Sequence, residues 1–383
     1  MSKEKRRVPK LRFPGFTEDW EQRKLSDILV ERNEQQVETN EYPLMSFVQG
    51  HGVVPKGERY DRSFLVLDQS KKYKRTELGD FIYSSNNLET GSIGINKTGK
   101  AVISPVYSIF YGVSIGDSQF IGIMSLLPRF IAKMIRFRQG VVYGQWRIHE
   151  KDFLDISILI PSEAERTKIT KLILSIEELI TLHQRKLNNL KLKKKALLQK
   201  LFPKNGKRYP ELRFPGFTDA WEQRKLSDIL KVNSGKDYKH LEQGDIPVYG
   251  TGGYMLSVNE SLSNIDAIGI GRKGTIDKPQ YLKAPFWTVD TLFYLTALDK
   301  HSILFLYYLM QLMPWKKFDE STGVPSLSKT TIDNINGYVP SNPKEEELIS
   351  TLFNQLDKSI TLHQRKLDHL QLQKKALLQQ MFV

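Results

Sequence analysis

The sequence predicts an α+β fold in which two duplicated mixed α/β domains are separated by two long helices that form an antiparallel coiled coil. The first observation is a repeated opening, since Leu11–Leu29 and Leu212–Leu230 are identical at 17 of 19 positions. The second is a repeated helical segment, since Ile180–Phe202 and Ile360–Phe382 are identical at 17 of 23 positions. Repeats this widely spaced exceed the roughly 20–50 residues of a solenoid repeat, so they indicate duplicated domains.

The third observation is that the segments between these repeats, residues 30–160 and 231–340, share almost no sequence and differ in length. Both contain short β-branched runs bounded by Gly, Pro and Asn, which is typical of strands and tight turns. Matching ends with divergent centres predict one kind of partner bound twice and two different ligands recognised. The predicted domains are residues 1–160 and 206–340, and the predicted long helices occupy residues 161–205 and 341–383.

Shorter helices are predicted from local sequence preference. The shared sequence WEQRKLSDIL, at Trp20–Leu29 and Trp221–Leu230, is predicted to be helical in both copies. Short helices are also predicted at Arg129–Phe137 and Ser302–Met313.

A long helix is predicted after each Pro-Ser pair, Pro161-Ser162 and Pro340-Ser341. Ser162 is a good N-cap, and Glu163 and Glu165 lie where the helix dipole favours acidic side chains. Apolar residues then recur at spacings of three and four, which is the heptad pattern of a coiled coil. The predicted seam, which also serves partner binding, consists of Ile176, Ile180, His183, Leu187 and Leu190, with Leu356, Ile360, His363, Leu367 and Leu370 in the second copy.

Composition indicates a polyanionic partner. The net charge is +14 and the pI is near 9.5, which favours nucleic acid first and an anionic membrane surface second. The absence of cysteine excludes disulfides and thiolate metal sites and fits a reducing cytoplasm. The first ten residues lack the apolar core of a signal peptide, and the apolar run Ile303–Met310 is too short to span a bilayer. We therefore expect a cytoplasmic protein with no membrane partner.

The sequence contains partial matches to two nucleotide-binding motifs, but each lacks a feature that the motif requires. Gly94–Ala101 is close to a phosphate-binding loop, but Ala101 stands where the motif needs a hydroxyl group for Mg²⁺. Gly269–Gly274 has the spacing of a dinucleotide-binding loop, but Pro279 follows too soon for the helix that would hold the pyrophosphate. The seven histidines show no metal-ligand spacing. The sequence therefore predicts a binding protein without catalytic residues or a metal site.

Basic and amide side chains near predicted turns are candidates for contacts to phosphates and base edges. Any one of them is explained equally well as a solvated surface charge, but as a set they favour DNA. Residues 179–210 also contain ten Lys and Arg and no acid, which fits either a solvated helix face or a basic strip facing a duplex. The candidate DNA-binding residues are Lys72, Lys74, Arg75, Asn86, Asn87, Lys97, Gln145, Arg147, Lys236, Lys239, His240, Arg272, Lys273, Ser326 and Lys329.

The paired LRFPGF…W…KLSDI openings and the paired ITLHQRKL…KKALLQ helices resemble the DNA-specificity subunits of type I restriction–modification systems. The resemblance covers nearly the whole chain and includes the Ala267–Thr275 sequence, AIGIGRKGT. It implies that each variable domain is a target-recognition domain that binds one half of a bipartite, asymmetric double-stranded DNA target. It also implies that the two helices set the spacing between the halves and dock two methyltransferase subunits.

The resemblance further implies that restriction/translocase subunits join the complex and that this chain is not itself an enzyme. No cofactor is then expected in this chain, while S-adenosylmethionine, ATP and Mg are expected on the partner subunits. Two alternatives remain open at this point. A fused DNA methyltransferase or nuclease would show activity as an isolated chain. A structural coiled-coil protein that binds polyanions would show equal affinity for any DNA or RNA sequence.

Overall fold

The structure, a computed structural model, describes residues 7–48, 52–55, 70–88, 92–114, 116–142, 145–204, 206–298 and 300–383. The chain divides into two compact units. The first contains Met1–Leu182 and Leu367–Val383, and the second contains His183–Lys366. Each unit therefore includes one variable domain and about half of each long helix. No helix in these described ranges is long and apolar enough to cross a membrane.

The first unit is built from short strands and three short helices before its long helix. Its strands are β1 (Glu21–Lys24), β2 (Leu29–Glu31), β3 (Gln35–Gln36), β4 (Met45–Val48), β5 (Gly52–Pro55), β6 (Tyr73–Thr76), β7 (Phe81–Tyr83), β8 (Ile93–Ile95), β9 (Ala101–Ile103), β10 (Ser108–Gly112), β11 (Gln139–Val142), β12 (Gln145–Arg147) and β13 (Ser157–Ile160). Its short helices are α1 (Asp117–Met124), α2 (Pro128–Ile135) and α3 (Glu150–Leu154), and the long helix is α4 (Glu163–Leu201).

The second unit repeats this plan. Its strands are β14 (Glu222–Lys225), β15 (Leu230–Ser234), β16 (Gln243–Gly250), β17 (Gly253–Val258), β18 (Ala267–Gly271), β19 (Gln280–Leu282), β20 (Trp287–Thr288), β21 (Leu292–Ala297) and β22 (Asn336–Val339). Its helices are α5 (Leu226–Ile229), α6 (Ile303–Met310), α7 (Lys329–Asn334) and the long α8 (Pro343–Gln380).

Each variable domain contains its own four-stranded sheet, and the strand order is the same in both although their sequences differ. In the first unit the antiparallel order is β2-β10-β7-β8, and in the second it is β15-β21-β18-β19. A two-stranded ribbon closes each domain, β1 with β13 and β14 with β22. The additional strands differ, because the first unit adds β3-β6-β9 and β4-β5 while the second adds β17-β16-β20. The fold is therefore mixed α+β, duplicated, with divergent additions.

The helix predicted over WEQRKLSDIL is wrong in both copies. Glu21–Lys24 is a strand that pairs with Ser157–Ile160, and only Leu25–Asp27 forms a short 3-10 helix. The second copy forms the same strand, followed by the single turn Leu226–Ile229. Pairing with a strand more than 100 residues away overrides the local preference of these residues, as tertiary context commonly does.

The shared tryptophan and the end of a long helix form part of each core. Trp20 packs edge-on against Phe382, with ring centroids 6.2 Å apart. Trp221 packs in the same way against Phe202, at 5.8 Å. All four side chains are at most 4% exposed. The residues that are identical in the two copies therefore build equivalent parts of the two cores.

The predicted long helices are confirmed, and the short helices are confirmed at positions shifted by one to three residues. Helix α4 is 39 residues long, about 58 Å at 1.5 Å per residue, and Ser162 Oγ accepts a hydrogen bond from Glu165 N. Helix α6 begins after Ser302, whose Oγ accepts from Phe305 N at 3.3 Å. Both caps satisfy backbone donors that the first turn of a helix leaves unpaired.

Candidate nucleic-acid interface

The turn after strand β18 in the second unit carries the candidate residues Arg272 and Lys273. The Arg272 backbone N–H donates to the Thr291 carbonyl at 2.8 Å, and its own carbonyl accepts from Leu327 N at 3.0 Å. Lys273 forms an antiparallel bridge with Ser326. Backbone contacts from Thr291 and from Ser326-Leu327, both distant in sequence, therefore fix the turn and place Arg272, Lys273 and Ser326 next to one another.

The loop that brings Ser326 to this turn is fixed by an aspartate. Asp319 Oδ1 accepts from the backbone N–H groups of Ser326 and Ser321, both at 3.0 Å. These hydrogen bonds hold the pKa of Asp319 below its ordinary value. Ser328 then caps helix α7, and Lys329 is exposed at the first residue of that helix. The acid thus stabilises the loop and does not neutralise the lysine.

A second basic segment, Lys236–His240, is anchored beside the same residues 287–291. Lys236 N donates to the Thr288 carbonyl at 2.8 Å, and the Trp287 indole N–H donates to the Lys236 carbonyl at 2.9 Å. The His240 ring packs edge-on against Trp287, at 5.9 Å between centroids. The backbone of this segment is therefore fixed, while the Lys236, Lys239 and His240 side chains are exposed.

The cations of this surface are available for an external anion. Within the described ranges, no carboxylate lies at ion-pair distance from Lys236, Lys239, Arg272, Lys273 or Lys329. The Arg272 guanidinium lies over the Phe293 ring, 5.8 Å from its centroid. Such a contact orients a guanidinium without neutralising its charge.

The candidates of the first unit divide into paired and exposed residues. Lys74 is 7% exposed and lies 3.9 Å from Glu150, while Arg75 pairs with Glu34 at 2.7 Å. Lys97 pairs with Glu177 of helix α4. These three cations are engaged within the fold.

The other candidates of the first unit face solvent where the structure describes them. Lys72 and Asn86 are exposed, and the Arg147 side chain is 65% exposed, 3.8 Å from Glu150. The side chains of Asn87 and Gln145 lie outside the described part of the structure. A role in DNA binding stays a prediction for all the candidate residues.

The seam residues lie on the less exposed face of both long helices. Ile176, Leu187, Leu356 and Leu367 are buried, and Ile180, Leu190, Ile360 and Leu370 are half-buried. His183 and His363 occupy equivalent positions, and their Nδ1 atoms are 2.8 Å apart. At least one ring must be neutral in this hydrogen bond. Burial, followed by the charges of His363, Lys366 and Lys186, lowers the pKa of His183.

Residues 218–372 match the family model of the type I restriction modification DNA specificity domain. The matched stretch runs from within the second repeated opening into helix α8, and both of its ends recur in the first half of the chain. The second variable domain and most of helix α8 therefore carry this DNA specificity domain. The match supports the role of a type I restriction–modification specificity subunit, a DNA-binding and non-catalytic component, and the two alternative functions are not favoured. No curated protein matches the sequence.

A solved structure shares the fold of this chain. The S subunit of a type I restriction-modification system from M. genitalium superimposes with a TM-score of 0.70 and 16% identity, over 98% of this chain and 99% of that chain. The HsdS subunit from Thermoanaerobacter tengcongensis gives a TM-score of 0.41 and 13% identity over 97% of each chain. The first comparison establishes the fold of the subunit.

Sequence reasoning missed two surface features of the specificity subunit. The first is a hairpin from which the Tyr254 and Met255 side chains protrude into solvent. In the sequence, only the Gly-rich turn before these residues could have indicated a hairpin there. The long helices also expose leucines at equivalent positions outside the seam. Leu192 and Leu372 are each 66% exposed, and Leu182 and Leu362 are 45% and 53% exposed. The repeat contained a signal for them, since each leucine is conserved between the two copies of the helical segment.

Proposed function

We propose that the specificity subunit binds a bipartite, asymmetric DNA target, with each variable domain contacting one half-site. The observation that carries this proposal is the shared sheet order of two domains whose sequences differ. A common framework presents different side chains in one geometry, so it would recognise two different base sequences. Base edges in the major groove distinguish all four base pairs, which gives such surfaces enough information for specificity.

The exposed cations of the two domains support DNA as the ligand. The candidate residues differ in whether a carboxylate within the fold already pairs with them. The basic surface of the second domain would neutralise phosphates, and Arg272 has the fork geometry that pairs with guanine. In the first domain, Asn86 could pair with adenine and Arg147 with guanine. Lys74, Arg75 and Lys97 would have to leave carboxylate partners first. We therefore assign contacts to Lys72, Asn86, Arg147, Lys236, Lys239, His240, Arg272, Lys273, Ser326 and Lys329.

We further propose that the long helices form a coiled coil that sets the spacing between half-sites and docks two methyltransferase subunits. Two equivalent partners require two equivalent surfaces. The exposed leucines Leu192 and Leu372, one in each unit and at equivalent positions, supply such a pair of surfaces. Restriction/translocase subunits would complete the complex in the cytoplasm. S-adenosylmethionine, ATP and Mg would be bound by those partner subunits.

The proposal is tested by exchanging one variable domain. Residues 30–160 are replaced by the equivalent segment of another specificity subunit, and the methylated sequence is determined by methylome sequencing of cells that express the complex. One half-site should change while the other half-site and the spacer length are retained. The reciprocal exchange of residues 231–340 is the matched control and should change the other half-site. A change in both halves from either exchange would contradict the assignment.

A further inference from the structure

The hairpin formed by β16 and β17 projects two apolar side chains from the second domain. Tyr254 is 63% exposed and Met255 is 49% exposed. Isolated exposed apolar residues are normal on a protein surface. These two are adjacent, follow a tight turn and line one open cavity of about 700 Å³ together with Lys239. The combination of an apolar tip and a neighbouring cation is the feature that needs an explanation.

The hairpin tip is held in place by contacts from the rest of the domain. Gln280 Nε2 donates to the carbonyls of Gly250 and Thr251, at 2.9 and 3.2 Å. Gly253 has a φ of +112°, a conformation that side chains disfavour, so the turn depends on glycine there. A Cβ on Gly250 would lie 2.7 Å from Met255 Sδ, which shows that the thioether covers the turn. The tip is therefore a fixed projection.

The tyrosine ring is oriented although it faces solvent. Its hydroxyl lies 3.1 Å from Ser257 Oγ, and its ring packs edge-on against Tyr249 at 6.4 Å. An exposed aromatic ring held in one orientation contributes contact area to a ligand with little loss of side-chain entropy.

The hairpin tip lies beside the basic turn that carries Arg272. A Cβ on Gly274 would lie 3.8 Å from Thr251 Oγ1, which places the two turns in contact. Lys239 borders the tip on the side of the cavity. A polyanion that approaches the hairpin would therefore meet cations on both sides. A double-stranded nucleic acid fits this pattern better than an apolar protein surface, because the flanking residues are cationic.

We propose that this hairpin enters the major groove of the second half-site, where Tyr254 and Met255 contact the C5-methyl group of a thymine. The inference rests on the proposed function and adds the element and the base chemistry. The major groove admits a two-stranded ribbon, and the thymine methyl is its apolar recognition feature. Lys239 and Arg272 then hold phosphates or a base edge on either side. The second half-site therefore contains an A·T pair at the hairpin.

The test removes the methyl group from the DNA. The complex of the specificity subunit with its methyltransferase subunits is titrated against its methylome-derived target, with deoxyuridine replacing each thymidine in turn. Wild-type binding should weaken about fourfold at one position of the second half-site, the effect of losing one buried methyl group. The double variant Tyr254→Ala, Met255→Ala should show no weakening at that position. Tyr254→Phe should retain the uracil effect, since the ring and its packing against Tyr249 are kept while only the hydrogen bond to Ser257 is lost.

Controls separate this inference from the proposed function. Ile265→Ala removes an apolar side chain that is 61% exposed in the same domain and should retain the uracil effect. Uracil in the first half-site should affect wild type and the double variant equally. The hairpin assignment is overturned if the two respond equally at every thymine, if the second half-site lacks an A·T pair, or if the double variant loses methyltransferase subunits without DNA. A complex with no specific target would instead overturn the proposed function.

Discussion

Lys194 and Asp357 form an ion pair between the two long helices in the second unit, with Nζ 2.6 Å from Oδ1. The equivalent residues of the first unit, Lys374 and Glu177, are 2.8 Å apart. In the second unit the lysine belongs to helix α4 and the acid to helix α8, while in the first unit the lysine belongs to helix α8 and the acid to helix α4. The duplication of sequence is therefore also a duplication of contacts.

Glu177→Gln should destabilise the first unit in a pH-dependent manner. Burial raises the pKa of Glu177, but hydrogen bonds from Lys374 and Lys97 outweigh it and leave the pKa below its ordinary value. The stabilisation is therefore present above about pH 5 and is lost as the pH falls through the folded-state pKa. Urea unfolding at pH 7 should show a loss of about 2 kcal/mol. Glu178→Gln, at the exposed neighbouring position, is the control, and an equal loss in both variants would contradict the assignment.

The histidine pair should make the second unit less stable in mild acid. Because the pKa of His183 is lowered in the folded protein, the unfolded chain binds the proton first, and stability falls as the pH drops below about 6.5. The double variant His183→Gln, His363→Gln should lose less stability between pH 7.5 and pH 5.5 than wild type, measured by thermal unfolding. Gln184→Ala, at the exposed position next to His183, should retain the wild-type pH dependence. Identical profiles for wild type and the double variant would exclude this role.

The exposed leucines should control how many methyltransferase subunits bind. Leu192→Glu places a charge in one proposed docking surface, and Leu372→Glu places it in the other. Each single variant should weaken one binding event by at least about tenfold, because an unpaired charge in an apolar contact costs more than about 1.4 kcal/mol. Native mass spectrometry should then show one bound subunit for each single variant and none for the double. Leu78→Glu, at a position 69% exposed outside the helices, should bind two.

Arg272→Ala distinguishes a base contact from a phosphate contact. If Arg272 pairs with a base, specificity should relax at one position of the second half-site by about 1–3 kcal/mol. If it contacts only phosphate, affinity should fall evenly for all sequences and the salt dependence should become weaker. Competition binding with single-base variants of the target, at several salt concentrations, measures both. Arg224→Ala removes an exposed arginine that pairs with Glu222 and should change neither quantity.

The sequence predicted those parts of the fold that local pattern determines. The heptads gave helix α4 and its seam because a periodicity of three and four is visible without any tertiary contact. Strand β1 was missed because its partner β13 lies far along the chain. The ion-pair partners of Lys74 and Lys97 could not be predicted from the sequence, since Glu150 and Glu177 are 76 and 80 residues away. Side-chain exposure depends on such long-range contacts, so a list of basic residues cannot separate ligand contacts from internal ion pairs.

The cores of the two units should respond separately to two equivalent substitutions. Phe382 packs against Trp20 and stacks on Phe120 at 5.6 Å, while Phe202 packs against Trp221 and stacks on Phe305 at 5.4 Å. Removing either buried ring should cost about 3–5 kcal/mol. Hydrogen exchange should show faster exchange around Trp20 in Phe382→Ala and around Trp221 in Phe202→Ala.

Val383→Ala is the control for position along the chain, since Val383 is 37% exposed and adjacent to Phe382. It should leave exchange unchanged in both units. If Phe382→Ala accelerates exchange around Trp221 as strongly as around Trp20, the units unfold together. The contacts made by each Phe would then stabilise a single cooperative core. If each substitution accelerates exchange only around the tryptophan that its Phe contacts, the repeated ends stabilise the two units independently.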